Sequence, residues 1–389
     1  MEKILFVSSR LEKERKNGAY LVAKRNLDNL KSIFKNIQIY KVSQKNIFFR
    51  IISICIFNRL ESSSIKVERE ILEKIKKNKY TIIFLDGSGY GYLSEKIKKN
   101  FPNIKIIVFC HDINFYLYSS IISEERNFLR KLKAKKEKYN SEINENKIFK
   151  NADKIITLNK RDTKLLKDKY GYDTSKEIGI TFEDTEVKNI KYDNLINNDF
   201  ILLFVGVANF IPNISGLEFF IQNVLSEINV KLFVVGKGME KYRKDFEKVN
   251  EKIKVIGTVE NIEEYYLKAD AVVAPIFIGG GMKVKTGEAL MYGKSIFGTT
   301  EAFQGYEIDY EKIGGVCNTA EEFIFKINNY IKKWEKAGKI RANKYSREIF
   351  YAKYSYKSSL EKFEDIFNQI NKEDGENINE SFCNNSKLQ

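Results

Sequence analysis

Histidine occurs once in the 389 residues, proline three times and cysteine four times. With His111 the only imidazole, one side chain would have to serve every role in a Ser/His/Asp set or a histidine-rich metal centre, and neither is convincing. Cys55, Cys110, Cys317 and Cys383 are far apart and show no CxxC spacing. A disulfide framework or zinc cluster is therefore not expected, and a reducing compartment fits. Three prolines (Pro102, Pro212, Pro275) and 22 glycines exclude a collagen-like or proline-rich architecture. No run reaches the ~18 uninterrupted apolar residues of a membrane span. The nearest, 47–57, is short and carries Arg50 and Ser53. The opening MEKILFVSSR lacks the apolar length of a signal peptide and reads as a first strand. Acids are outnumbered 67 to 52, a net charge of +15, which favours an anionic partner: nucleic acid, a phosphorylated ligand or an acidic membrane. No zinc finger, RNP-like run or basic zipper is present, so no specific nucleic acid is expected.

What the chain does contain is 43% apolar, 13% aromatic and 31% charged residues, enough for full-sized cores. Short β-branched runs alternate with longer helical patterns, as in parallel βαβ units. The first series of strands reads 4–9, 37–42, 81–86, 104–112 and 154–159, and a long charged helical region is expected over 119–150. A polar, weakly periodic stretch follows residue 172, and the domain junction falls there. The alternation restarts at 200–206, 231–236, 253–257, 271–276 and 295–300. This predicts two α/β open sheets: an N-terminal domain 1–190, a C-terminal domain 191–345, a terminal helix 346–371 and a disordered tail 372–389.

The densest chemical signal is 278–305, IGGGMKVKTGEALMYGKSIFGTTEAFQG. Gly279, Gly280 and Gly281 follow a strand and precede a helix carrying Lys283, Lys285 and Glu288. Glycines let backbone approach a ligand, and a helix start offers unpaired N–H groups to an anion. Lys285 supplies a point charge for phosphate, and Glu288 can accept hydrogen bonds from a ribose diol. The alternative is a flexible connector with solvated lysines. Gly206, Gly236 and Lys237 end two other strands, where they serve a nucleotide loop or simple turns. Gly18, in the loop after the first strand, reads either as a turn towards a cleft or as an ordinary connection. His111 and Asp112 end a strand, where open parallel sheets bind their ligands, although a partly buried histidine bonded to a loop is the alternative. The basic run 131–139 is either a solvated helix face or a dock for phosphate, RNA or anionic lipid. Residues 47–60 form either a core helix or an interfacial one. There is no D-x-D triplet of the kind that holds a metal on a diphosphate, so lysine and helix N-termini are expected to neutralise a leaving group.

The motifs FVGVANFIPNISGLEFF (204–220), VVGKG (234–238), IGTVENIEEYYLKADAVVAP (256–275) and GGGMKVKTGEAL (279–290) occur in that order. This stretch, Phe204 to Gly305, resembles the C-terminal domain of family 4 glycosyltransferases, the bacterial glycosyl transferases group 1 branch of the GT-B architecture. The resemblance implies two Rossmann-like domains facing a cleft, with a C-terminal helix crossing back to the first. It implies a glycosyltransferase moving a sugar, with retention, from a nucleotide-diphosphate donor to a glycan or lipid-linked acceptor in surface-polysaccharide assembly. It places donor-binding positions at Gly18, Gly206, Gly236, Lys237, Val259 (at the base-binding edge), Gly279, Gly280, Gly281, Met282, Lys283, Lys285 and Glu288. His111 and Asp112 become catalytic, near the donor sugar or its phosphate. The E-x7-E signature of the family is half present: Glu288 is its second acid, and Gly280 stands at the first. No cofactor or metal is expected. The expected location is cytoplasmic, peripheral on the inner face of the cell membrane, with an anionic membrane surface as a further partner. Two other readings stay open: a nucleotide-sugar epimerase, and a non-catalytic nucleotide-sugar or glycan-binding protein of the same fold.

Overall fold

The β-branched runs form the strands their composition predicts, most of them one to four residues shorter than the expected run, with 253–257 matched end to end. The computed structural model describes residues 2–11, 18–42, 52–60, 64–125, 127–183 and 199–385. The chain divides into two units. One comprises Met1–Phe115, Lys136–Ile178 and Tyr356–Gln389, and the other Tyr116–Lys135 and Gly179–Ser355.

The first unit holds a parallel sheet of β1 (Ile4–Ser8), β2 (Ile37–Lys41), β3 (Ile82–Leu85), β4 (Lys105–Phe109), β5 (Lys154–Thr157) and β6 (Lys176–Glu177), in the order β2-β1-β3-β4-β5-β6. Every residue of β1 and β3 is buried, because helices cover both faces of a parallel sheet. On one face Leu5, Val7, Ile83, Leu85, Ile106 and Val108 share a core with Ile71 and Ile75 of the helix Ile65–Lys77. On the other, Phe6 stacks on Phe84 at 5.3 Å, and Phe84 meets Phe363 of the last helix at 6.2 Å. The strand order reverses between β1 and β3, a topological switch point whose carboxyl-end crevice is where such sheets bind ligands.

The second unit repeats the plan with β7 (Phe200–Val205), β8 (Val230–Val235), β9 (Ile253–Gly257), β10 (Ala271–Ala274), β11 (Ser295–Gly298) and β12 (Gly314–Val316), in the order β12-β11-β10-β7-β8-β9. Leu202, Phe204, Leu232, Val234, Val273 and Phe297 form its core with Phe220, Phe323 and Trp334. The helix Ala320–Lys336 starts at a capping box, in which Thr319 and Glu322 satisfy each other's exposed N–H groups. Here the switch point lies between β7 and β10.

Several boundaries differ from expectation. Strands β6 and β12 were absent from the sequence reading: one has two residues, the other the weak strand former Gly-Gly-Val. β12 exists because β11 pairs with it, and its glycines adopt φ +127°. The helix expected over 119–150 is two helices, Asn114–Glu124 and Phe128–Asn151. Asn127 breaks them, its side chain accepting from Arg130 N (3.1 Å) as a new N-cap. Residues 116–135, expected in the first domain, group with the second unit. The expected boundary at 190/191 lies outside the described residues. The stretch 346–371 is divided as well: the helix Lys344–Ile349 and a π-turn Phe350–Tyr354 end at Ser355, which pairs with Phe182 as an isolated parallel bridge. That pairing draws Ser355 into extended backbone, so a separate helix, Tyr356–Asn385, follows. This helix returns the chain to the first unit and takes in most of the segment read as a tail.

Candidate functional site

In the first unit the carboxyl ends of β1, β3 and β4 converge on a buried carboxylate. Asp86, just beyond β3, accepts from Ser8 Oγ at 2.6 Å and from Asn26 Nδ2 at 3.2 Å, and its Oδ1 lies 2.8 Å from His111 Nε2. Arg10 Nη1 donates to the Asp86 carbonyl at 2.9 Å, and Arg10 N to Ser8 Oγ at 3.0 Å. Burial works to raise the Asp86 carboxyl, but the charges of His111 and Arg10 and the Ser8 hydroxyl hold it below its ordinary value. His111 is pushed the other way from the usual ion-paired histidine. Burial, then the Arg10 charge, lower it against the opposing pull of Asp86. Its ring packs edge-on against Phe109 at 5.1 Å. Arg25, also buried, lies 5.9 Å from the Phe109 ring, and burial lowers its guanidinium to about 9. Asp112 is half-buried. The chain leaving His111 is pinned by Glu145, which accepts from Asn114 N (2.7 Å), Phe115 N (3.2 Å), Ser88 Oγ and Tyr170 Oη.

The second unit builds its cluster from β7, β8 and β10. Gly206 and Gly236 end neighbouring strands, and a Cβ on Gly236 would stand 1.9 Å from Gly206 O, at φ +146°. Only glycine fits at 236. A Cβ on Gly206 would press on the Asn213 side chain at 2.8 Å. Asn213 donates to Val207 O (2.9 Å) and accepts from Lys285 Nζ (2.8 Å). Lys285 also lies over the Phe204 ring at 4.6 Å. Burial, then repulsion from Lys283, push Lys285 down to about 7. Glu288, one turn on in the helix Val284–Met291, accepts from Tyr266 Oη at 2.9 Å, and burial pushes it up to about 7. These two groups sit near neutrality at ordinary pH, in a dry setting where an arriving anion has large electrostatic effects.

Lys283 is used differently. Its Nζ donates to Gly280 O and Gly281 O at 3.0 Å each and to Glu301 Oε1 at 2.7 Å. Its charge thus folds the glycine loop onto itself, with Gly281 at φ +55°. Met282 is buried, and its Sδ accepts from Ile180 N at 3.4 Å. Lys237 is exposed, and its carbonyl accepts from Ala208 N at 3.0 Å. Val259 follows the edge strand β9, half-buried, beside Thr258, whose N donates to Glu240 Oε2 at 3.2 Å. Gly18 opens the helix Gly18–Ile33, while residues 12–17 before it lie outside the described residues.

The structure thus joins Lys285, Glu288 and Gly206 through Asn213 and Tyr266, and it gives His111 a buried carboxylate partner. Sequence reasoning missed Asp86, Ser8, Asn26, Asn213, Tyr266 and Glu301. A signal existed for Asp86, the acid ending TIIFLD, and for Asn213 in the quoted PN element.

The fold of the chain, with its two parallel six-stranded sheets, is similar to that of solved structures of the GT-B class. A sucrose-phosphate synthase from Thermosynechococcus elongatus has a TM-score of 0.68 at 12% identity, over 95% of this chain and 99% of that one. HepE from Anabaena, in complex with UDP and glucose, has a TM-score of 0.64 at 14% identity, over 95% and 100%. A glycosyltransferase from Rickettsia africae has a TM-score of 0.60 at 16% identity, over 95% and 98%. At these identities the likeness shows the fold alone: the chain has the GT-B fold, of α/β class. The family model for Glycosyl transferases group 1 matches residues 199–333, which bears out the resemblance read from Phe204 to Gly305. No curated protein matches the sequence.

Proposed function

We propose that the protein is a glycosyltransferase that moves a sugar from a nucleotide-diphosphate donor to a glycan or lipid-linked acceptor. The observation that carries this is the buried Lys285–Asn213 and Glu288–Tyr266 arrangement inside the stretch that matches the group 1 family. The complex of the similar HepE with UDP supports a nucleotide as the donor's handle. In this reading the N–H groups at the start of the helix Val284–Met291 and the Lys285 charge meet the diphosphate. Glu288 accepts from the ribose, and Lys283 holds the glycine loop in shape.

His111 then acts on the donor sugar. An ionised Asp86 only accepts, so Nε2 carries the proton and donates to it, which leaves Nδ1 of the neutral ring as an acceptor. His111 therefore takes a hydrogen bond from a sugar hydroxyl, with Asp86 fixing its tautomer. The reaction is proposed to retain anomeric configuration, the departing phosphate assisting the incoming hydroxyl, and to need no metal. The proposed setting is surface-polysaccharide assembly on the cytoplasmic side of the membrane. Among the described residues no helix is long and apolar enough to cross one.

The test is a panel of nucleotide-sugars screened for thermal stabilisation, followed by assay of nucleotide release with and without EDTA. One nucleotide-sugar should raise Tm by mass action and be turned over. Turnover lost in EDTA and restored by magnesium or manganese would overturn metal independence. Gly280 at the first acidic position favours a second reading, a non-catalytic nucleotide-sugar-binding protein, which would be stabilised by the donor without releasing nucleotide.

A further inference from the structure

The helix Asn114–Glu124, NFYLYSSIISE, is among the most apolar in the chain, yet Phe115, Leu117, Ile121 and Ile122 are only half-buried and Tyr116 is exposed. The helix that follows it opens with Phe128 and Leu129, 72% and 74% exposed, and Leu132 one turn on is 46% exposed. In the first half of this helix Ala134, Glu137 and Asn140, at three-residue spacing, are the buried positions, so the packed face there is small and polar; Ile148 and Phe149 join the core only at its far end. The large apolar side chains of this half, Phe128, Leu129 and Leu132, are turned outward. Between Phe128 and Tyr139 stand six cations, Arg130, Lys131, Lys133, Lys135, Lys136 and Lys138, against one acid, the buried Glu137.

We propose that this helical pair docks the protein on an anionic lipid bilayer. Phe128, Leu129 and Leu132 enter the headgroup region, and Arg130, Lys133 and Lys135 meet the lipid phosphates. An interfacial helix needs both components, apolar side chains for the acyl boundary and cations for the anionic surface. RNA would answer the charge and offer Phe128 a base to stack on, but it leaves Leu129 and Leu132 without an apolar partner, which a bilayer supplies. Ile56 and Phe57, of the stretch 47–57, are exposed as well, while residues 43–51 lie outside the described part of the chain. The inference does not rest on the transferase reading, because its readout is binding to lipid.

The experiment is co-sedimentation of the full chain with vesicles of phosphatidylcholine, alone or mixed with phosphatidylglycerol, with polyuridylate RNA as a parallel probe. Wild type should bind the anionic vesicles and not the neutral ones. Arg130→Gln/Lys133→Gln/Lys135→Gln should lower that partition about 100-fold, at roughly fivefold per charge. Phe128→Ser/Leu129→Ser should lower it about tenfold. What binding the double variant keeps should vanish at ~0.5 M salt, where the Debye length is about 4 Å. Both variants change exposed side chains and should keep the wild-type circular dichroism and Tm. Absence of wild-type binding to anionic vesicles at low salt would overturn the proposal. So would undiminished binding by either variant, or binding to RNA without binding to lipid.

Discussion

Lys285 offers a measurement in which protons report on the site. Burial and Lys283 hold its ammonium down at about 7, so at pH 8 only about a tenth of the free protein is charged there. A diphosphate beside Nζ favours the charged form and returns it towards the ordinary value of 10.5. Binding UDP at pH 8 should then take up about 0.9 of a proton at Lys285. By the same linkage, this group alone should weaken the affinity about eightfold between pH 7.5 and 8.5. Glu288, raised to about 7, adds its own share, the net of the diphosphate, which favours its neutral form, and the ribose hydroxyls, which favour its carboxylate. Titration calorimetry of UDP in buffers of different ionisation enthalpy counts the protons. Lys285→Met should remove about 0.9 of a proton from the uptake at pH 8, along with about 1.5–3 kcal/mol of binding from the lost charge-assisted contact. Glu288→Gln should remove the remainder. Uptake near zero in wild type, or unchanged in Lys285→Met, would refute the placement of the diphosphate.

Three further outcomes are expected. His111→Ala should lower turnover at least ~100-fold, the scale of one lost preorganised contact, with nucleotide affinity little changed and circular dichroism intact; normal turnover would remove His111 from the reaction. Because folded His111 lies below its ordinary 6.5, the unfolded chain binds the proton first as pH falls, and stability should drop below that value towards the folded one. Denaturant melts at pH 7.5 and 5.5 should show this drop, and His111→Gln should flatten it. Gly236→Ala places a Cβ 1.9 Å from Gly206 O at a backbone angle of +146°, so it should cost at least about 2 kcal/mol in a urea melt; a melt like that of wild type would show that the strand ends can part.

The local periodicities are enough to locate ten of the twelve strands among the described residues, because a strand covered on both faces is largely apolar, and FILLFV or KIIVF shows that in six residues or fewer. The break at Asn127 lay within reach of capping rules, but the surrounding charged run disguised it as one continuous helix. The two shortest strands were not legible, since Lys176–Glu177 and Gly314–Val316 take their conformation from the ladder beside them. The glycine loop was visible as a ligand-approach motif. Sequence could not tell which of its lysines was free to serve, and the structure assigns Lys283 to Gly280, Gly281 and Glu301.

What the sequence by itself determined was everything that depends on near neighbours: the α/β alternation, the strands, the position of His111 at a strand end and the order of the nucleotide-loop motifs. What only the tertiary structure decided was which distant residues share a dry environment. Asp86 meets His111 across two adjacent strands, 25 residues apart in the chain, and Asn213 meets Lys285 across 72. Their protonation follows from that burial, because removal from water penalises charge by an amount no local pattern encodes. The same holds for Phe128, Leu129 and Leu132, whose exposure depends on what the rest of the chain leaves uncovered.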